Sequence, residues 1–280
     1  MNSYMPEKDE SHFNKHAPNA LNETDWVDYI VAYIVALQRF FRIPLLHLQA
    51  DRKETIEKRS TFFLPLAGTS LALLLTLLLA VLQFFWPLGI AVLLLGSLEL
   101  LFLRTFVPEA IPQCRELLAP QKSSISSGNI FVLTIIFMLL RMGLIYQLIV
   151  DFNSMLTACI LILTSISLGT WIIPFSISFT ISHDESARWV NPNRPLSKKQ
   201  LIYGSSFLIG LLLLGTWASL NRLLPALVVS GLLLYWIMRK LGDHDKEITD
   251  THLEGLASLF QIVFLLVCTI DYSFLNKLSA

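Results

Sequence analysis

An all-α integral membrane bundle of about seven spans, preceded by an amphipathic helix, is the fold this sequence predicts. Three observations predict it. Charged residues make up only 15% of the 280 and mean hydropathy is +0.60, whereas soluble domains carry about 25% charge. The apolar residues are gathered into runs near the ~20 residues a lipid-crossing helix needs. The basic residues are sorted to one side of those runs, as membrane topology requires.

Taken in order, residues 1–25 are polar, mixed in charge and without the apolar core of a signal peptide, and read as a disordered extension. Residues 26–48 place Trp26, Tyr29, Ile30, Tyr33, Ile34, Leu37, Phe40 and Phe41 at helical spacing and end at Arg42-Ile43-Pro44. Asp28, Gln38, Arg39 and Arg42 interrupt that run, so an amphipathic helix at the interface or on the bundle fits better than a span. Residues 51–60 form a charged linker. The expected spans are 62–86, 88–107, 130–150, 155–181, 201–219, 223–238 and 255–270. Pro87, residues 151–153 and Asn221–Arg222 are tight turns. Residues 104–129, 182–200 and 239–254 are long polar connections. There is no internal repeat, and residues 26–280 read as one membrane domain.

With the N-terminus inside, every long connection falls inside too, and 18 of the 21 Lys and Arg lie on that face. Arg222 and Lys277 fall outside and Arg141 within a span. A cytoplasmic excess of Lys and Arg sets orientation, so the three long loops are expected to open to the cytoplasm. Glu99 and Arg141 are ionisable groups inside spans. Such groups serve as internal ion pairs or as ligand contacts, and both readings stay open here. The formal charge is zero, and without a basic stripe the sequence offers no nucleic-acid signature. Cys114, Cys159 and Cys268 have no metal spacing and read as small hydrophobes.

Four segments, in order, resemble the cobalamin synthase family (adenosylcobinamide-GDP ribazoletransferase). They are Ala36-Leu37-Gln38 with Arg42-Ile43-Pro44; Phe63-Leu64-Pro65-Leu66-Ala67-Gly68; Ser167-Leu168-Gly169-Thr170; and Ile248-Thr249-Asp250-Thr251 with residues 259–266. The resemblance covers nearly the whole chain after residue 30. It implies transfer of the phosphocobinamide part of adenosylcobinamide-GDP to α-ribazole or its 5′-phosphate, with release of GMP. It also implies Mg²⁺, membrane lipid, the corrinoid and α-ribazole substrates, other cobalamin-assembly proteins as partners, and the inner membrane of a bacterium.

The departures fall in the motifs that would do chemistry. After its second span the family carries Gly-Gly-x-His-x-Asp-Gly-x-x-Asp-x-x-Asp-Gly. Here residues 106–117 read F-V-P-E-A-I-P-Q-C-R-E-L. Phe106 takes the place of the His, and Pro108, Pro112 and Arg115 fall at or near the Asp positions. Lys122 stands where the next motif has Asp, and Gln261 where the last span has Glu. A hard Mg²⁺ is held by carboxylates and phosphate oxygens and offsets charge on a transferred phosphoryl group. Proline and arginine remove those ligands. The carry-over leaves Asp250 and Glu109 as metal-binding and catalytic candidates, and Arg42, Ser123 and Arg115 as substrate-binding candidates. The acidic third loop, with Asp243, His244, Asp245 and Glu247, is either a solvated connection or a cation site.

Two readings remain. One is an active transferase using relocated carboxylates. The other is a catalytically inactive homologue acting as a membrane partner or regulator. A third alternative rests on Asn193-Arg194-Pro195-Leu196, which resembles a segment of UbiA-type prenyltransferases. The aspartate motif those enzymes carry just upstream is absent from residues 179–187.

Overall fold

The computed structural model describes residues 25–41, 50–112, 127–152, 154–177, 202, 205–242 and 249–270. The N-terminal extension, most of the three long connections, Arg42, Arg115 and Ser123 lie outside the described residues. Those residues form seven helices: α1 (Asp25–Arg39), α2 (Ala50–Phe85), α3 (Leu88–Phe102), α4 (Ser127–Asp151), α5 (Met155–Ile177), α6 (Ser206–Gly242) and α7 (Asp250–Thr269). One 3₁₀ turn, Pro108–Ala110, follows α3. The only β-type pairing among the described residues is an isolated antiparallel bridge between Phe41 and Leu103.

Five helices are long and apolar enough to cross a membrane, over Arg59–Phe85, Gly128–Asp151, Met155–Ser176, Leu208–Arg239 and Asp250–Thr269. The charged linker of the sequence reading belongs to α2, whose helix begins nine residues before its apolar span. α1 is not among the five.

α5 and α7 occupy the centre, and the core between the helices is filled by Leu64, Leu79, Leu148, Leu161, Ile162, Ile166, Ile172, Ile173 and Phe264. Leu73, Leu77, Phe131, Leu139, Leu213 and Val228 are exposed. An outer surface this apolar suits lipid and not water.

The second expected span, 88–107, ends early. α3 has 15 residues, about 22 Å at 1.5 Å per residue, against a hydrocarbon core of about 30 Å. Leu103 turns to an extended conformation (φ −119, ψ 161) while its N–H still donates to the Glu99 carbonyl. Pro108 lies five residues on. It has no N–H to extend a helix and pushes the residue before it toward extended backbone; Val107 has φ −123, ψ 81.

The fifth and sixth expected spans appear as one element, α6, broken at Ser219 (φ −165, ψ 81). A Cβ placed on Gly215 would lie 3.0 Å from Leu223 Cδ2. On a straight helix those residues sit about 12 Å apart along the axis, so the chain bends sharply between them. Pro225, six residues beyond the break, further weakens the start of the second arm, because it cannot donate to the Asn221 carbonyl. At the bend, Arg222 Nη1 donates to the Cys268 carbonyl at 3.1 Å and lies 3.9 Å from Asp151 Oδ2. Its guanidinium stacks 4.4 Å over the Phe152 ring. The bend of α6 therefore meets the C-terminal ends of α4 and α7.

Candidate functional site

Past α3 the chain does not leave the bundle. Leu103, Thr105, Phe106, Val107, Pro108, Ala110, Ile111 and Pro112 are all buried. The sequence reading makes 104–129 a polar cytoplasmic connection; its first nine residues are instead packed among α3, α4, α7 and the end of α1. Non-helical backbone inside a membrane bundle persists only where the protein satisfies its polar groups, and here the partners can be named. Arg104 N–H donates to the Phe40 carbonyl at 2.7 Å. Val107 N–H donates to Ser258 Oγ at 2.8 Å, and Gln261 Nε2 donates to the Thr105 carbonyl at 2.7 Å. Ala110 N–H donates to the Val107 carbonyl, and Ile111 N–H to that of Pro108.

α7 provides two of these partners because Glu254, Ser258 and Gln261 recur at spacings of four and three, one face of a helix. That face meets the buried segment. Glu254 Oε1 accepts from Arg104 Nη1 at 3.3 Å, and Ser258 Oγ donates back to the Glu254 carbonyl at 2.8 Å. Gln261 also fills the contact with α5: Ser165 Oγ donates to its carbonyl at 3.4 Å, and a Cβ on Gly169 would sit 2.5 Å from its Cγ. Only glycine admits that approach. Gln261 Oε1 and Arg141 Nε have no partner among the described residues.

The other anchor is the intramembrane charge pair. Glu99 of α3 and Arg141 of α4 are 2% and 3% exposed. Arg141 engages both carboxylate oxygens, Nη1 on Oε2 and Nη2 on Oε1, the latter at 3.1 Å. Thr105 Oγ1 donates to Glu99 Oε1 at 2.5 Å. The Arg141 guanidinium lies 4.4 Å over the Phe106 ring. Bidentate, charge-assisted bonding is the arrangement that offsets burial of two charges, and the aromatic face adds a cation–π contact. Of the two roles open to Arg141, the geometry gives it the internal ion pair.

Glu109 sits half-buried on the 3₁₀ turn, and Asp250 sits half-buried in the first turn of α7. Thr249 caps that helix: its Oγ1 accepts from His252 N–H, and His252 Nδ1 accepts from Thr249 N–H at 3.2 Å. This capping box starts α7 at Asp250, five residues before the expected span. An acid in a helix's first turn is favoured by the backbone dipole, which accounts for Asp250 without a ligand. Among the described residues no three of His, Cys, Asp and Glu gather as a metal site. The two most buried carboxylates among the described residues, Glu99 and Glu254, are bound to Arg141 and Arg104, so neither is open to Mg²⁺, which takes several oxygen ligands in near-octahedral array.

Sequence reasoning passed over Thr105 and Ser258 and noted Gln261 only as a substitution. The signal was present, since Ser258 and Gln261 are polar residues three apart within an apolar run. Compared with known proteins, the chain matches no family model, no curated protein and no solved structure.

Proposed function

We propose that this chain is a cobalamin synthase-like protein of the cytoplasmic membrane whose family transfer reaction is lost. In this reading it persists as a non-catalytic membrane partner or regulator of cobalamin assembly. One observation carries it: residues 106–112, where the family's acidic loop would begin, form a largely buried segment. Phe106 covers Arg141, and Ser258 and Gln261 satisfy its backbone. A loop that binds a diphosphate through Mg²⁺ must present carboxylates and backbone to an open face. In this chain Phe106, Val107, Pro108, Ala110, Ile111 and Pro112 present apolar and proline side chains to the interior of the bundle.

The proposed topology has seven crossings, α3 completing its own with the buried segment that follows it and α6 contributing two around Ser219, with the N-terminus and long connections cytoplasmic. The Lys and Arg distribution supports it, as does the meeting of Arg222 with the C-terminal ends of α4 and α7.

The deciding experiment reconstitutes the purified chain in lipid and supplies adenosylcobinamide-GDP, α-ribazole and Mg²⁺. No product above a protein-free control is expected, and a synthase-deficient strain carrying this chain should make no cobalamin. Mg²⁺-dependent turnover would reinstate the active-transferase reading.

A further inference from the structure

α1 is built inside out. In a surface helix of a soluble protein the apolar stripe faces the core and the charges face water. Here the buried positions are Ala32, Val35, Ala36 and Phe40. The ionised groups lie toward that same side: Asp28 accepts from Arg59 Nη1 of α2 at 3.2 Å, and Arg39 Nη1 donates to Thr61 Oγ1 of α2 at 3.3 Å. At about 100° per residue, the opposite arc carries Trp26, Val27, Ile30, Ile34, Leu37 and Gln38. Trp26 is 66% and Ile30 49% exposed. One polar side chain in six is not a water-facing surface.

The pose of α1 sets the depth of that arc. Asp28 and Arg39 lie eleven residues apart, about 16 Å along α1. Their partners Arg59 and Thr61 lie two residues apart, about 3 Å along α2. A helix whose two ends reach one turn of its neighbour lies across it. Arg59 is also where the apolar span of α2 begins. From between the two ends, the Tyr33 hydroxyl donates to Ser70 Oγ at 2.7 Å, and Tyr29 and Tyr33 each pack edge-on against Phe63, 6.2 Å between ring centroids. These contacts reach into the span, not out of it.

The geometry points to α1 as an in-plane membrane helix, its outward arc seated in the boundary between headgroups and acyl chains of the leaflet where α2 begins. The occupant is lipid. Leu66 and Leu73 of α2 are likewise apolar and exposed, and Asp28 and Arg39 are bonded on the protein side, so seating the arc turns neither toward the hydrocarbon. Trp26 and Tyr29 are residue types that favour that boundary. The inference rests on the membrane reading of the bundle and is independent of whether the chain has transferase activity.

The test uses the full-length chain with Cys114, Cys159 and Cys268 replaced by Ala and a nitroxide on a single new cysteine. The labelled positions are Val27, Ile30, Ile34 or Gln38, in vesicles of phosphatidylethanolamine and phosphatidylglycerol. Collision with dissolved oxygen should exceed collision with a water-soluble nickel complex at all four. Their depths should agree within a few ångström, against the ~16 Å that eleven residues of a crossing helix would give. Strong nickel collision would make the arc water-facing. Loss of both collisions would make it a contact with a second copy. A graded depth would make α1 a span. Any of these overturns the proposal. Labels on Leu77 and Leu213 separate the two readings: if those spans are also open to nickel, the membrane bundle itself is wrong, and if they sit in lipid while α1 does not, only this inference fails.

Discussion

Glu99 and Arg141 show how a single pair can hold a local structure together. Each charge is inside the bundle, where an unpaired ion is strongly disfavoured. Their mutual bidentate contact, with Thr105 on the carboxylate and Phe106 against the guanidinium, ties α3, α4 and the buried segment into one unit. Removing one partner leaves the other charge uncompensated, which costs about 3–5 kcal/mol in buried pairs. Glu99→Gln and Arg141→Met are each expected to lower the thermal unfolding midpoint in detergent sharply. The double variant should lose less than the sum, because neither charge is then stranded. Additive losses would mean that the pair is not a unit. Gly169 offers a steric counterpart. A methyl there meets Gln261, whose amide is held by Thr105 and cannot swing away freely. Gly169→Ala is expected to destabilise by about 1–3 kcal/mol, as overpacking does, and Gln261→Ala in the same chain should relieve part of that loss. Unchanged stability in Gly169→Ala would show that Gln261 has room to move.

At the scale of elements, the helices were legible in the sequence where the apolar pattern alone decides them, as for α4, α5 and most of α7. They were less legible where a local break competes with that pattern. Residues 103–107 are apolar enough to extend α3, yet Leu103 is already extended and pairs with Phe41 instead. That partner comes from a segment more than sixty residues earlier, which no window of sequence can weigh. α7 begins early because Thr249 and His252 close a capping box, a signal that hydropathy does not register. Of the candidate site, Glu99 and Arg141 stood out as charges in apolar runs. Thr105 and Ser258 did not, because their value lies in satisfying backbone groups of another segment. The bend in α6 was anticipated as a turn at Asn221–Arg222, and the break falls two residues earlier, at Ser219. In the proposed seven-crossing topology, α6 forms two antiparallel arms and Asn221 lies on the face opposite the long connections. A cysteine at Asn221 should therefore react with a membrane-impermeant maleimide added outside sealed cells. Reaction only after lysis would make α6 one long tilted span and reverse the side on which α7 begins.

At the scale of the molecule, orientation and activity are linked through residues 104–128. In the proposed topology the cytoplasmic face lies there, at the place of the metal-binding loop of the proposed family. Of this stretch, 104–112 is packed into the bundle. Maleimide labelling from the inside should therefore reach a cysteine at Ser124 but not one at Ala110. Easy labelling at Ala110 would mean that the segment opens. That possibility bears on catalysis, because phosphoryl transfer depends on neutralising charge in the transition state. Losing a metal site of that kind removes several kcal/mol of stabilisation, and each ~1.4 kcal/mol is tenfold in rate. Glu109 and Asp250 are the metal-binding and catalytic candidates that fall among the described residues, and Arg115 is the candidate for a substrate phosphate, which guanidinium groups hold well. The expected result in lipid is therefore substrate binding without turnover. Should turnover occur, Asp250→Asn and Glu109→Gln each ought to abolish it while leaving yield and unfolding midpoint unchanged. If both variants kept full activity, the reacting carboxylates would have to be sought in the third loop, among Asp243, Asp245 and Glu247, and the resemblance would hold for the fold without its site.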